Sequence, residues 1–356
     1  MSIAILPRKR VGVFFGGRSS EREVSLSGGR NIVQHIDIKK FDVLPIFWDA
    51  SGKFWLIPET LIVRNTCKEI EDRLESHGRR LRSHDLSKEL DCAFLVTHGK
   101  FGDDGCLQGF LEFLHIPYTG SGVLGAALGM DKNLQRRILS DAKISQPTSI
   151  VVRDWEWENK RNAVNTKIEQ QIGFPCVTKP TREGSTMGVC VNADVLALEQ
   201  GMTVAFQYDR EVLLEPLIRG REFSCVVVGN ESARALIPTE TIHDEEIFTY
   251  DAKYMPGASK KITPMDVDSS ILKTIQTLAE KTYEALEFCG YARIDGFLTT
   301  EGRILITDPN GGASTGMGPS SWTWHQAAET GWSPMDFLSH VLELALVAHQ
   351  SKKGPL

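Results

Sequence analysis

The stretch YARIDGFLTTEGRILITDPN, residues 291–310, carries an arginine, two aspartates and an asparagine at even spacing. Arg293 and Asp295 stand two apart, as do Asp308 and Asn310, and a strand puts such residues on one face. Two apolar runs meet near Glu301-Gly302, which predicts a hairpin. With a two-residue turn, residue 300 faces 303, Asp295 faces Asp308 and Arg293 faces Asn310. A four-residue turn shifts the pairing by one place each way and keeps the face. Two carboxylates crowded on a strand face repel each other unless a cation compensates. Two Asp and one Asn offer only oxygen donors, which suits Mg²⁺ beside nucleotide phosphates. The alternative is a solvated hairpin with Arg293 pairing one aspartate, since GFLTT and ILIT alternate as half-exposed strands do.

A second segment with chemical potential is KPTREGSTMGV, residues 179–189. Its glycines, serine and threonine supply backbone N–H groups and hydroxyls that can wrap an anion, and Lys179 adds a point charge. An ordinary glycine-rich hairpin loop with a solvated lysine fits the same residues. The opening segment VGVFFGGRSSEREVSLSGGR has a strand, the turn Gly16-Gly17 and a helix. It lacks Gly-x-Gly-x-x-Gly and the acidic residue of a dinucleotide site, so the turn is not read as a phosphate loop. Ser20-Glu21-Arg22-Glu23 fits a capping box, with Ser20 and Glu23 each satisfying a backbone N–H. Glu21 is left over, a carboxylate at the mouth of a parallel sheet that suits an ammonium group.

The elements that must position these residues fall into three segments, roughly 1–128, 129–214 and 215–356. In the first, strands alternate with helices: FDVLPIFW and LDCAFLVTHG are strands, and GCLQGFLEFLHI is a helix, with a polar stretch at 64–90 expected on the surface. That alternation implies an α/β fold with a parallel sheet and ligands at the carboxyl ends of its strands. In the second, GFPCVTKP and GVCVNAD flank the glycine loop as a hairpin. The third mixes strands with a helix near 269–287, whose Ile271, Leu272, Ile275, Leu278 and Ala279 share a face. A last helix starts at Ser333-Pro334, a capping serine before proline.

Composition narrows the class. With 356 residues, 41% hydrophobic and 24% charged, the chain is of ordinary globular type. A net charge of −6 without a basic block argues against nucleic acid and anionic membranes as partners. No apolar run approaches the ~20 residues of a membrane span. The N-terminus MSIAILPRKR reverses the order of a secretory signal. Seven scattered cysteines without a CxxC pair predict reduced thiols in a cytoplasmic protein.

Taken together, FGGRSSEREVSL, THGKFGDDGCLQGFLEFLHIPYTGSGV, MDK, KPTREGSTMGV, EPLIRGREF, DAKY, RIDGF and DPN identify a resemblance. The chain resembles the D-alanine–D-alanine ligases of the ATP-grasp superfamily, from about Val11 to Leu346. The resemblance implies an N-terminal Rossmann-like domain, a small central lid and a C-terminal catalytic domain. It implies ATP, two Mg²⁺ ions with Mn²⁺ as a substitute, D-alanine as substrate, and a homodimer. Glu21 would hold the first D-alanine's ammonium, with His98 nearby. Lys132 and Lys179 would bind the phosphates of ATP, Glu215 and Ile218 its adenine and Glu222 its ribose, with Glu183, Ser185 and Lys253 also in the ATP site. Asp295, Asp308 and Asn310 match the metal ligands. Arg293 and Gly316 match the groups that stabilise the transition state. Ser185 and Tyr254 match a closure pair linked to Glu21, and Ser321 and Trp322 fall on the second substrate.

The match departs from the family at Asp308 for glutamate, Asp103 for glutamate, Trp322 for leucine, and NGGASTGM, two residues longer than usual. These changes are expected around the second-substrate pocket. Three activities follow as expectations: D-alanyl-D-alanine synthesis for cell-wall precursors, the same chemistry on another amino or hydroxy acid, and nucleotide binding without catalysis.

Overall fold

A computed structural model describes residues 8–63, 65–184, 186–242 and 259–351. Three sheets organise the mixed α/β chain. The first contains β1 (Lys9–Gly16), β2 (Phe41–Trp48), β3 (Phe54–Leu56), β4 (Arg79–Leu81) and β5 (Cys92–Leu95), in the order β4-β3-β2-β1-β5. β1 is parallel to both β2 and β5. It reads as an unbroken apolar run because both faces are covered: Val11, Val13 and Phe15 pack into one core and Phe14 into another.

The second sheet is antiparallel, with β6 (Ile150–Arg153), β7 (Cys176–Pro180), β8 (Cys190–Asn192) and β9 (Glu211–Pro216) ordered β6-β9-β7-β8. The hairpin expected around the glycine loop is the β7–β8 pair. The third is also antiparallel. Its path is β13-β12-β10-β14-β15, from β10 (Gly220–Gly229), β12 (Thr239–Ile242), β13 (Lys260–Ile262), β14 (Gly290–Thr299) and β15 (Ile304–Gly311), with β11 (Arg234–Ala235) beside β10. The helix Ser269–Ala285 covers it, with Ile275 and Ala279 fully buried and Ile271, Leu272 and Leu278 packed against the same core. The last helix, Pro334–Ser351, starts as expected: the Ser333 hydroxyl accepts from Asp336 N–H at 3.2 Å, and Asp336 Oδ2 accepts from Ser333 N–H at 3.0 Å.

Most of residues 65–90 are exposed, as expected, but the segment also forms three short helices and β4, and Cys67, Ile70 and Leu74 enter one core while Leu81 and Leu86 enter another. Its apolar residues are too widely spaced to show a period, yet each is aimed inward. One local expectation is corrected: the capping box at Ser20 does not form. The helix runs from Arg22 to His35 with Glu21 at its cap position and no side-chain cap bond. Glu23 Oε1 instead accepts the Cys67 N–H at 2.9 Å, so a tertiary donor outcompetes the local one. A capping box does form nearby, between Thr66 and Glu69.

The glycine turn after β1 needs no anion. Gly16 N–H donates to the Ser25 hydroxyl at 2.9 Å and Gly17 N–H to the Trp48 carbonyl at 2.8 Å.

Candidate active site

The β14–β15 hairpin pairs Asp295 with Asp308 and Arg293 with Asn310, the expected register reached by a different route. Its turn holds three residues rather than two: Thr299 N–H bonds the Arg303 carbonyl at 2.8 Å, and Gly302 takes φ +78°. That turn sets Leu298 opposite Ile304 and Gly296 opposite Ile306, one place off the expected pairing. A β-bulge then inserts Thr307 and restores it at the acidic pair. The helix Lys132–Asp141 stabilises the bulge. Arg136 Nη2 donates to the Thr307 carbonyl at 2.6 Å and Gln135 Nε2 to the Pro309 carbonyl at 3.1 Å.

On that face Arg293 forks onto Asp295, with Nε at 2.9 and 3.1 Å and Nη2 at 2.8 Å. Its Nη1 donates to the Thr315 carbonyl at 2.6 Å. Thr315 ends the 3₁₀ turn Gly312–Thr315, built from the lengthened loop after Asn310. Asp295 also accepts from the Ser224 hydroxyl at 2.7 Å and Asn310 Nδ2 at 3.1 Å. Burial pushes the Asp295 carboxyl above its ordinary value, Arg293 opposes this, and Asp308 adds to the rise.

The donor chemistry fits a hard divalent cation. Asp308 lines the cavity with its side chain 36% exposed, and Asn310 spends its nitrogen on Asp295 and the Asp308 carbonyl, leaving the amide oxygen. Among the described residues no group of three or more His, Cys, Asp or Glu could hold a metal. A cation here would therefore rely on amide, water and phosphate oxygens as well, as Mg²⁺ does.

The glycine loop reaches this face through Lys132, whose Nζ donates to the Glu183 carbonyl at 2.6 Å and stands 3.9 Å from Asp308 Oδ1. Lys179 Nζ donates to Glu215 Oε2 at 2.8 Å, and Arg136 Nε to Glu215 Oε1 at 2.6 Å. Burial alone would raise the Glu215 carboxyl, but Arg136 and Lys179 hold it below the usual carboxylate range. The Glu183 carboxylate pairs with Lys100 at 2.5 Å, tying the loop to the segment after β5. Ile218 lies between the second and third sheets in an apolar slot with Val177, Val189, Leu217 and Phe297, and Glu222 lines the same cavity. Ser185, Lys253 and Tyr254 lie outside the described residues.

A second cavity adjoins the first. Glu21, His98 and Asp103 line one end, and Lys132, Arg293 and Asp308 are shared with the slot. Burial, then Arg293, lowers the His98 pKa to about 4, so its ring is neutral. A Cβ on Gly184 would lie 2.5 Å from Glu21 Oε2, which brings the glycine loop against Glu21. Gly316, at φ +80°, adjoins Arg293: a Cβ there would lie 3.5 Å from Nη1. The Ser321 hydroxyl donates to the Gly316 carbonyl at 2.6 Å and accepts the Thr323 N–H at 3.1 Å, capping the helix Trp322–Glu329. Trp322 lines both cavities and its ring faces Arg293 and Lys261, each 4.7 Å from the centroid.

Two family models match this chain, the D-ala D-ala ligase N-terminus over residues 10–121 and the D-ala D-ala ligase C-terminus over residues 138–343. The chain belongs to the D-alanine–D-alanine ligase family. The family's D-alanine–D-alanine ligase of Halothermothrix orenii is 34% identical over 96% of this chain and 99% of its own length. D-alanine–D-alanine ligase A of Chromobacterium violaceum is 35% identical over 95% of both. Among solved structures, the D-alanine–D-alanine ligase of Coxiella burnetii has TM-score 0.81 at 25% identity, covering 97% of this chain and 96% of that one. The VanG D-Ala:D-Ser ligase of Enterococcus faecalis has TM-score 0.83 at 30% identity, covering 95% and 100%. The fold is thus that of the ATP-grasp ligases.

Sequence reading missed Arg136 and Lys100. Arg136 follows Lys132 by one helical turn, a spacing that places both on one side of the helix, and this was a usable signal. Lys100 carried none. Asp103 stands with Glu21 and His98 in a cavity that Asp308 and Trp322 also line, so three of the departures from the family meet there.

Proposed function

We propose that this chain joins two D-alanines into D-alanyl-D-alanine at the expense of ATP. The observation that carries the reading is the meeting of two cavities at Lys132, Arg293 and Asp308. One is an apolar slot ending in lysines, suited to a nucleotide. The other ends in the Glu21 carboxylate, suited to an ammonium. A nucleotide's terminal phosphate and an amino acid's carboxylate would therefore face each other where the cations converge.

A carboxylate is a poor electrophile at neutral pH. Transfer of the γ-phosphoryl group to it makes an acyl phosphate, and such transfer needs positioning and neutralisation of spread charge. Lys132 and Lys179 bear on the phosphates, and Asp295, Asp308 and Asn310 would hold Mg²⁺. Bound Mg²⁺ supplies charge neutralisation on phosphate oxygens. Arg293, with Gly316 beside it, faces the oxyanion that forms when the second amine attacks the acyl carbon. Phosphate then leaves with the oxygen it took from the carboxylate. Burial at the join of the cavities limits hydrolysis of the acyl phosphate.

Phosphate release with ATP, Mg²⁺ and a panel of D- and L-amino and hydroxy acids tests the reading. Release with D-alanine alone is expected. Release only when a different acid is added shifts the reading to another acceptor, for which Trp322 in the cavity wall would be the cause. No release with any acid overturns it.

A further inference from the structure

We propose that Asp103 is the third acceptor for the ammonium group of the first amino acid, beside Glu21 and His98. The inference rests on the reading that this cavity takes an amino acid.

Glu21, His98 and Asp103 line one end of the same cavity and are 4%, 4% and 6% exposed. His98 Nε2 and Asp103 Oδ1 are fully enclosed and have no hydrogen-bond partner. An unpaired polar atom in such a place costs about 1–3 kcal/mol. Two of them at one cavity wall point to a bound group that satisfies both.

The Asp103 carboxyl takes backbone bonds from its own loop at Gly99 and Asp103, while Oδ1 keeps no partner. Asp103 N–H donates to the Gly99 carbonyl at 3.2 Å. The Gly102 carbonyl accepts from the Thr97 hydroxyl at 2.9 Å and from Gln108 Nε2 at 3.2 Å. Gly99, Phe101 and Gly105 take φ values of +73°, +69° and +97°, which fold the loop back on Glu21. A Cβ on Gly99 would lie 3.0 Å from Glu21 Oε2.

An alkyl ammonium has three N–H donors and one positive charge. Glu21 supplies a charged acceptor, Asp103 Oδ1 a second, and His98 Nε2 a third in the Nδ1–H tautomer. Burial, then Glu21, pushes the Asp103 carboxyl well above the usual carboxylate range. Three acceptors match its three donors. A hydroxy acid, which lacks the ammonium, leaves this set unsatisfied.

The test uses the full chain, with Asp103→Leu and Asp103→Asn, and turnover over a D-alanine range that separates first-site from second-site KM. Asp103→Leu is expected to raise the first-site KM on the order of 10- to 100-fold, with the KM for ATP unmoved. Asp103→Asn keeps a neutral Oδ1 acceptor and recovers most of that loss. Propionate, which has no ammonium, serves as a competitive probe: its inhibition constant should be the same in wild type and Asp103→Leu. Equal loss in Asn and Leu variants, or an unchanged first-site KM in a folded Leu variant, overturns the proposal. If the Leu variant does not fold, failure of Asp103→Asn to stay closer to wild type than Asp103→Ala overturns it. Wild-type enzyme that neither binds nor turns over D-alanine overturns the underlying reading, and this proposal with it.

Discussion

The Arg293 guanidinium lies 4.7 Å from the centroid of the Trp322 ring, while its nitrogens are bonded to Asp295 and the Thr315 carbonyl. Trp322 is itself fixed by Nε1 donating to the Thr241 hydroxyl at 2.8 Å. The indole therefore covers one face of the guanidinium and helps hold it in place. Cation–π contacts contribute about 0.5–2 kcal/mol. Trp322→Leu should lower kcat by roughly 2- to 30-fold, with nucleotide affinity kept, and Trp322→Phe should lose less. Steady-state kinetics beside a nucleotide-binding titration checks this; equal losses in both variants would mean the ring acts by volume alone.

Arg293→Ala removes both the oxyanion donor and the partner of a buried carboxylate. Turnover should fall on the order of 10²- to 10³-fold, far more than ATP affinity. Unfolding in urea should show a simultaneous loss of about 3–5 kcal/mol, because Asp295 stays enclosed without its cation. Equal loss of kcat and ATP binding would remove Arg293 from the transition state.

Glu215 is held between Arg136 and Lys179 with almost no exposure. Glu215→Ala leaves two cations without their anion, and a destabilisation of about 3–5 kcal/mol is expected. Lys179 also loses its anchor, so the KM for ATP should rise in any Glu215→Gln protein that folds. A Gln variant with wild-type KM would separate Lys179 from Glu215.

His98 sets a pH dependence of stability. Its pKa falls from 6.5 to about 4 on burial, so the unfolded chain binds the extra proton first. The stabilisation is fully present above pH 6.5 and is lost as pH falls toward 4, on the order of 3 kcal/mol in all. Urea unfolding of wild type and His98→Gln between pH 4 and 7 measures it. The wild-type curve should fall more steeply with acid by about that amount; parallel curves would show that folding leaves the His98 pKa unshifted.

Much of the fold was legible because periodicity and breakers carried it. β1 and β5 declared themselves as unbroken apolar runs, and the helix Ser269–Ala285 by its buried face. The short helices and β4 within 65–90 were not legible, since their inward residues stand alone among polar ones. Nor was the Ser20 capping box, since Cys67 supplies a donor from 44 residues away. The acidic pair was read in register although the turn length was wrong, because the inserted Thr307 offsets the three-residue turn. Only three-dimensional neighbours reveal the Glu215 pairing and the Lys100–Glu183 tie, which join segments distant in sequence.

Isotope transfer tests the central claim most directly. Wild-type enzyme is given D-alanine labelled with ¹⁸O in its carboxylate, together with ATP and Mg²⁺, and the released phosphate is weighed by mass spectrometry. Carboxyl activation predicts phosphate carrying a single ¹⁸O for each dipeptide formed. Dipeptide accompanied by unlabelled phosphate, or phosphate released without dipeptide, would contradict it.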